Sequence, residues 1–363
     1  MSNVLNSKKT IAIGVAVLIL LVMPIETSAD QGWELITELP TKRLAFATAV
    51  VGNKIYLIGG TLYRNVKPDI AVRGPYGITT VEVYDTQTNK WQRVADMPTP
   101  RHGAKAAVVN GTIFVFGGWN GQKHALGEYP VSVEAYNPQT DTWIQEKEMP
   151  VSRADFDIGV VAGKIYIIGG VTRLGKERMG RVDVYNPATN TWVKGQEMPT
   201  PRSQLGVAVV GNHIYAIGGR GWPRGDFGGP YLTVIEAYDS TSGQWRKKSD
   251  MLDLRMSSAP VVVRDEIYLI GGFTPKRVGF DYLASVSVYN PQKDAWRDIP
   301  AMPVPLVARG AAVNGKIYVL GGVGDVGEGW ELFPDVVVYD TGFRAVEAND
   351  KLSTRWGELK KSQ

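Results

Sequence analysis

The sequence predicts an all-β ring of six four-stranded sheets, a six-bladed β-propeller, and three observations carry that prediction. A Gly-Gly pair recurs at Gly59-Gly60, Gly117-Gly118, Gly169-Gly170, Gly218-Gly219, Gly271-Gly272 and Gly321-Gly322, with first glycines 58, 52, 49, 53 and 50 residues apart. That period suits propeller blades. Each pair closes an apolar run such as Lys54-Ile55-Tyr56-Leu57-Ile58 or Glu266-Ile267-Tyr268-Leu269-Ile270, whose β-branched and aromatic residues read as a buried strand. An alternating run follows, from Val81-Glu82-Val83-Tyr84 to Val286-Ser287-Val288-Tyr289, and seven residues beyond its tyrosine stand Trp91, Trp143, Trp192, Trp245 and Trp296.

The elements follow in chain order. Lys8 and Lys9 precede an uncharged apolar run, Ile11 to Met23, of thirteen residues, which suits a signal peptide and is short for a membrane span. Small residues Thr27, Ser28 and Ala29 place cleavage after Ala29, so residues 1–29 read as a signal peptide, with an uncleaved anchor as the alternative. Residues 30–342 read as the propeller. Within each unit the first strand is rich in small residues, as in Gly103-Ala104-Lys105-Ala106-Ala107, because six strands converging on one axis leave little room. The turns between the third and fourth strands are polar, as in Asn186-Pro187-Ala188-Thr189-Asn190.

The sixth unit has Val346 where its tryptophan is due, while Trp33 precedes Pro40 by the interval that separates Trp91 from Pro98. The N-terminal strand is therefore expected to complete the last blade, which removes the open edges of a broken ring. Residues 343–363 fall outside the repeat; an edge-packing tail and a sorting or partner-binding tail are both open readings.

The Gly-Gly, the Tyr-Asp or Tyr-Asn and the tryptophan, recurring in register over residues 33 to 342, resemble the kelch-repeat family, in its exported bacterial type. The resemblance implies four-stranded blades, glycines at close backbone approaches, and Tyr and Trp packed between blades. It also implies that ligands bind on the face carrying the loops after Gly-Gly.

Composition narrows the function classes. The chain has no cysteine, which excludes disulfides, thiolate metal sites and a Cys nucleophile. It also excludes the Tyr-Cys crosslink of galactose-oxidase-type copper enzymes that share this architecture. The net charge of +4 falls to +3 once Lys8, Lys9 and Glu26 leave, too slight to argue for nucleic acid. His102, His124 and His213 lie at different phases of the repeat, so no metal site is expected, and no phosphate loop or hydrolase elbow calls for a cofactor.

Candidate binding residues come from the loop face. An arginine stands sixteen residues before the first glycine of five pairs: Arg43, Arg101, Arg153, Arg202 and Arg255. These could ring the channel mouth as anion forks, or each could tie its blade to Glu82, Glu134, Asp183 and Glu236, which recur in register. The loops after Gly-Gly vary most and add Trp119, Asn120, Arg220 and Phe273.

The leading expectation is an exported binding propeller, periplasmic or extracellular, that recognises a carbohydrate, peptide or protein, anionic ligands included. No membrane span is expected after signal cleavage. The alternative is an enzyme of the sialic-acid mutarotase (N-acetylneuraminate epimerase) kind, since some exported bacterial kelch proteins are such enzymes. Asp155 and His102 would then be the acid–base candidates.

Overall fold

The computed structural model describes residues 32–62, 77–119, 129–172, 177–221, 229–276, 279–325 and 330–343. The signal-peptide reading, most of the tail and Asn120 lie outside them. Among the described residues there is no helix, so none is long and apolar enough to cross a membrane.

Six antiparallel four-stranded sheets form the blades. The first blade comprises Ala47–Val51, Lys54–Ile58, Val81–Asp85 and Lys90–Val94, paired in that order. The next four repeat the plan, beginning at Lys105, Asp157, Gly206 and Ala259. Their innermost strands touch one another in sequence, and those of the sixth and first blades close the circle.

Closure follows the expectation. Trp33–Glu38 is the outer strand of the sixth blade, pairing Trp33 with Tyr339 and Glu34 with Val338, with a bulge between Leu35 and Thr37. Trp33 is buried, and its Nε1 donates to the Pro300 carbonyl at 3.0 Å.

The core lies between blades rather than at one centre. Each apolar cluster joins residues of two successive blades, such as Ala107, Phe114, Val133, Phe156, Ile165 and Tyr185. Such burial contributes about 1.5–3 kcal/mol per large apolar side chain. The tryptophans after the tyrosines hold one equivalent position, as expected, and Trp91, Trp143, Trp192, Trp245 and Trp296 are mostly though not fully buried, with none exposed. They sit on the outermost strands, where only one face has a neighbour. Trp143, Trp192 and Trp245 use Nε1 to donate to carbonyls of the preceding blade exit, Ala95, Lys147 and Gln196, at 3.0–3.1 Å.

The Gly-Gly pair has a definite steric reason. Gly59 has φ +64°, and a Cβ there would stand 2.5 Å from the Arg101 carbonyl oxygen; at Gly169 the distance to the Arg202 oxygen would be 2.6 Å. The amide of the second glycine donates to the same carbonyl, as Gly60 does to Arg101 and Gly170 to Arg202, both at 3.0 Å. The loop face of one blade is thereby clamped to the inner turn of the next.

Candidate functional site

The inner turn of each blade divides into two positions of opposite character. The first holds the arginine series, and here the structure corrects the expectation of an anion-binding ring. Arg43, Arg101, Arg153, Arg202 and Arg255 are 0–2% exposed and lie inside the blades. Arg43 pairs with Glu82, Arg101 with Glu134 at 2.8 Å, Arg153 with Asp183, and Arg202 with Glu236 at 3.0 Å. Further guanidinium donors meet backbone carbonyls; Arg101 Nη1 reaches Gly117 at 2.9 Å and Ser132 at 3.0 Å, while the Nε groups of Arg43, Arg101, Arg153 and Arg202 have no partner. Burial pulls the guanidinium pKa of Arg43, Arg101 and Arg202 below its usual value, and the paired carboxylate pulls it back. A buried charge so enclosed serves the blade framework, not a ligand.

A threonine two residues before the arginine completes the arrangement in three blades. Thr41, Thr99 and Thr200 donate to Glu82, Glu134 and Glu236 at 2.6–2.7 Å. The fifth blade exchanges the two groups. Asp253 stands in the threonine's place and supplies the carboxylate to Arg255, while Ser287 stands in the glutamate's place and accepts from Arg255 at 3.2 Å. In the sixth blade Pro303, Pro305 and Val337 occupy the three positions, so carboxylate, hydroxyl and arginine disappear together. This joint variation was the sequence signal for a structural role.

Two residues beyond each arginine the backbone turns left-handed. Ala45, Gly103, Asp155, Gln204 and Ser257 have φ of 55°, 66°, 53°, 54° and 52°. That region costs L-residues roughly 1–2 kcal/mol, yet the repeat imposes it on five blades with five different residues. Neighbouring turns are linked: Gly103 N donates to the Ala45 carbonyl at 2.7 Å, and Gln204 N to the Asp155 carbonyl at 2.8 Å.

These turns open on a cavity of about 380 Å³ at the channel mouth, lined by the start of the innermost strand of every blade. That is the scale of a small-ligand pocket. Deeper in its wall, Lys105 and Asp157 form an ion pair at 3.0 Å, and the second Asp157 oxygen accepts from Val207 N on the following blade at 3.0 Å. At the same phase of the sixth blade a register irregularity between Val307 and Arg309 brings Arg309 to the cavity, where its Nε donates to the Phe46 carbonyl at 2.9 Å.

His102 and Asp155 both line this cavity. Burial lowers the His102 pKa and so favours its neutral imidazole; its Nδ1 has no hydrogen-bond partner, and its ring meets Trp119 edge-on at 5.1 Å. The Asp155 side chain is wetted yet ringed by protein, and this enclosure raises its pKa against the opposing pull of Lys105, Arg178 and Arg220.

Of the loop residues, Trp119 is 43% exposed and its backbone pairs with that of His102. Arg220 is half-buried with its guanidinium carbon 5.3 Å from the Tyr231 ring centroid. Phe273 belongs to a short hairpin, Phe273–Pro275 with Phe280–Tyr282, and packs on Phe280 rather than on the cavity. Sequence reasoning missed Lys105, Gln204, Ser257 and Arg309. Their phase was readable, because each is counted from a Gly-Gly pair, but their side chains follow no repeat.

The KLHDC2/KLHL20/DRC7 Kelch-repeats domain matches residues 45–251 and 145–322. The chain belongs to the kelch-repeat family. It is similar to Kelch-like protein 35 of Mus musculus, 26% identical over 325 residues that span 89% of this chain and 42% of that protein. It is also similar to Beta-scruin of Limulus polyphemus, 29% identical over 296 residues, 80% of this chain and 26% of that one. The chain thus spans less than half the length of these kelch relatives. The solved structure of YjhT superposes with a TM-score of 0.68 at 19% identity, covering 84% of this chain and 97% of the other, which shows a shared fold. Kelch propellers commonly bind proteins.

Proposed function

We propose that this chain is an exported binding propeller that recognises a carbohydrate, peptide or protein partner at its loop face and seats a polar group of that partner in the channel mouth. The observation that carries the reading is the left-handed ring at Ala45, Gly103, Asp155, Gln204 and Ser257, where the repeat keeps one backbone conformation and releases side-chain identity around a 380 Å³ cavity. Positions held only for packing do the reverse, as the tyrosines Tyr84, Tyr136, Tyr185, Tyr238 and Tyr289 show. Export is supported by the apolar N-terminal run and the small residues that end it. The test is a binding screen of the secreted protein against glycans and peptides, followed by Gln204→Ala and Ser257→Ala. The expected result is loss of binding at an unchanged melting temperature; binding that ignores both substitutions would remove the mouth from the reading.

A second reading, an isomerase of the sialic-acid mutarotase kind, is favoured by His102 and Asp155 on one cavity. Enclosure lowers the His102 pKa and raises that of Asp155, which keeps the imidazole neutral, able to accept a proton, and moves the carboxyl toward the range where it can donate one. Anomer exchange of acidic sugars followed by NMR, with Asp155→Asn as control, separates turnover from simple binding.

A further inference from the structure

The residue that follows each Gly-Gly pair bridges back to the inner turn of its own blade, and its identity changes around the ring: Thr61, Trp119, Val171, Arg220, Phe273 and Val323. Only the second and fifth blades place an aromatic ring there. These two blades stand opposite each other, with two blades between them in either direction around the closed circle.

At both places one ring braces another. The Trp119 indole meets the His102 ring edge-on, with centroids 5.1 Å apart at 63°, and the two residues exchange backbone hydrogen bonds of 2.7 and 2.8 Å. In the fifth blade Phe273 exchanges backbone hydrogen bonds with Met256 at 2.9 and 3.0 Å. It begins the hairpin that carries Phe280, and the two phenyl rings meet edge-on with centroids 4.7 Å apart at 67°. Among the described residues Trp119 and Phe280 are the most exposed aromatic side chains, each at 43%. A lone exposed ring is ordinary. Two on opposite blades, each held in one orientation by a second ring, make a pair of rigid platforms flanking the mouth.

Hydrogen-bonding groups border the platforms. Beside Phe280 the hairpin sets Thr274 against Asp281, and Lys276 pairs with Asp281. Around one side of the rim, the turns between the platforms carry Asp155 and Gln204.

We propose that the loop face binds an oligosaccharide laid across the mouth, with one sugar ring stacked on Trp119 and another on Phe280. The inference rests on the binding reading above and names its ligand class. A pyranose has a face of C–H groups and a rim of hydroxyls. Stacking buries that face against an aromatic ring, while the hydroxyls find the polar side chains of the rim and the hairpin. A peptide is held by a sheet edge or an apolar groove; separate rings bordered by hydrogen-bonding groups match sugars instead. Because both platforms are braced, little side-chain freedom is lost on binding.

The test is calorimetric titration of the purified protein with cello-oligosaccharides, chito-oligosaccharides and oligogalacturonates, each from one to six units. In at least one series the affinity is expected to climb with length, the hexamer binding about a hundredfold more tightly than the monosaccharide once both platforms are engaged. Trp119→Ala and Phe280→Ala should each cost the hexamer about tenfold, and the double variant should remove the gain with length. Trp119→Phe, which keeps a stacking face, should retain most of it. Phe273→Leu removes the brace but not the platform, and should fall between the unaltered protein and Phe280→Ala. Ile144→Ser, exposed on the outer strand of the second blade, should change nothing. Melting curves establish that the variants fold, and the dependence on chain length in the unaltered protein needs no variant. The proposal is overturned if none of the three series binds, if affinity is flat with length, or if the gain with length survives the double variant. If a single sugar, a peptide or a protein occupies the mouth while longer sugars gain nothing, the spanning site falls and the binding reading stands; if nothing binds there, both fall.

Discussion

Arg101 and Gly103 stand two residues apart in the same turn, and the contrast between their positions runs through the whole ring. At the arginine position five blades keep the side chain and bury it against a carboxylate. At the next, five blades keep only the left-handed backbone and carry Ala45, Gly103, Asp155, Gln204 and Ser257. The first position is fixed because a buried guanidinium needs every partner at once. The second is free because its side chain meets the cavity rather than a neighbouring strand. Within one turn, repetition of a residue marks framework and repetition of backbone alone marks the surface open to a ligand.

The contrast predicts a large stability effect at the first position and none on binding. Arg101→Ala leaves Glu134 buried without its cation, and breaking such a pair costs about 3–5 kcal/mol. Denaturant unfolding should show that loss, while any ligand of the mouth binds the folded fraction unchanged. Weakened binding by folded protein would mean that the series is not purely structural.

The fifth blade allows a subtler test. Because Asp253 is partly exposed, Asp253→Thr should cost less, about 1–3 kcal/mol. Ser287→Glu would then restore the carboxylate from the strand side. Asp298 pairs with Ser287 in register, where the first and fourth blades set Arg93 and Lys247 against their glutamates. Asp298→Lys is therefore needed as well. The triple variant should recover most of the stability lost by Asp253→Thr; failure to recover would show that carboxylate and hydroxyl are not interchangeable across this turn.

The fold was legible because its determinants are local and repeat: glycines needed by a carbonyl at 2.5–2.6 Å, tyrosines in one phase, and an N-terminal Trp33 that stands in for the missing sixth tryptophan. The direction of the arginines was harder to read, although the acids in register and the threonines two residues ahead pointed inward. The setting of Arg220 was least legible: it lies in a loop whose length differs from blade to blade, and only its backbone bridges to Ser203 and Tyr231 fix its place.

A smaller effect sharpens the second position. Ala45 has no side-chain hydrogen bond to offset φ 55°, so Ala45→Gly should stabilise the protein by up to about 1 kcal/mol once the glycine's greater unfolded-state entropy is counted. The expected reading is a small rise in melting temperature. A fall would mean that the ring's conformation is set by side-chain contacts at the mouth and not by the Gly-Gly clamp of the neighbouring blade.

The smallest effect concerns pH, where His102 and Asp155 act in opposite directions. Burial depresses the folded-state pKa of His102 below its ordinary 6.5, so the unfolded chain binds the proton more readily. The stability it contributes is present above pH 6.5 and is lost as pH falls through the folded value. Asp155 has a folded pKa raised above 3.8, so its protonated form favours the native state. That contribution is present below pH 3.8 and is lost as pH rises through the folded value. Acidification from neutrality should therefore first lower the melting temperature, with His102→Gln flattening that limb. Asp155→Asn should flatten the limb at lower pH, and by less, because the Asp155 side chain remains wetted. A His102 pKa at or above 6.5 by NMR would show that the mouth does not disfavour the imidazolium, and would remove His102 from the acid–base pair that the enzymatic reading requires.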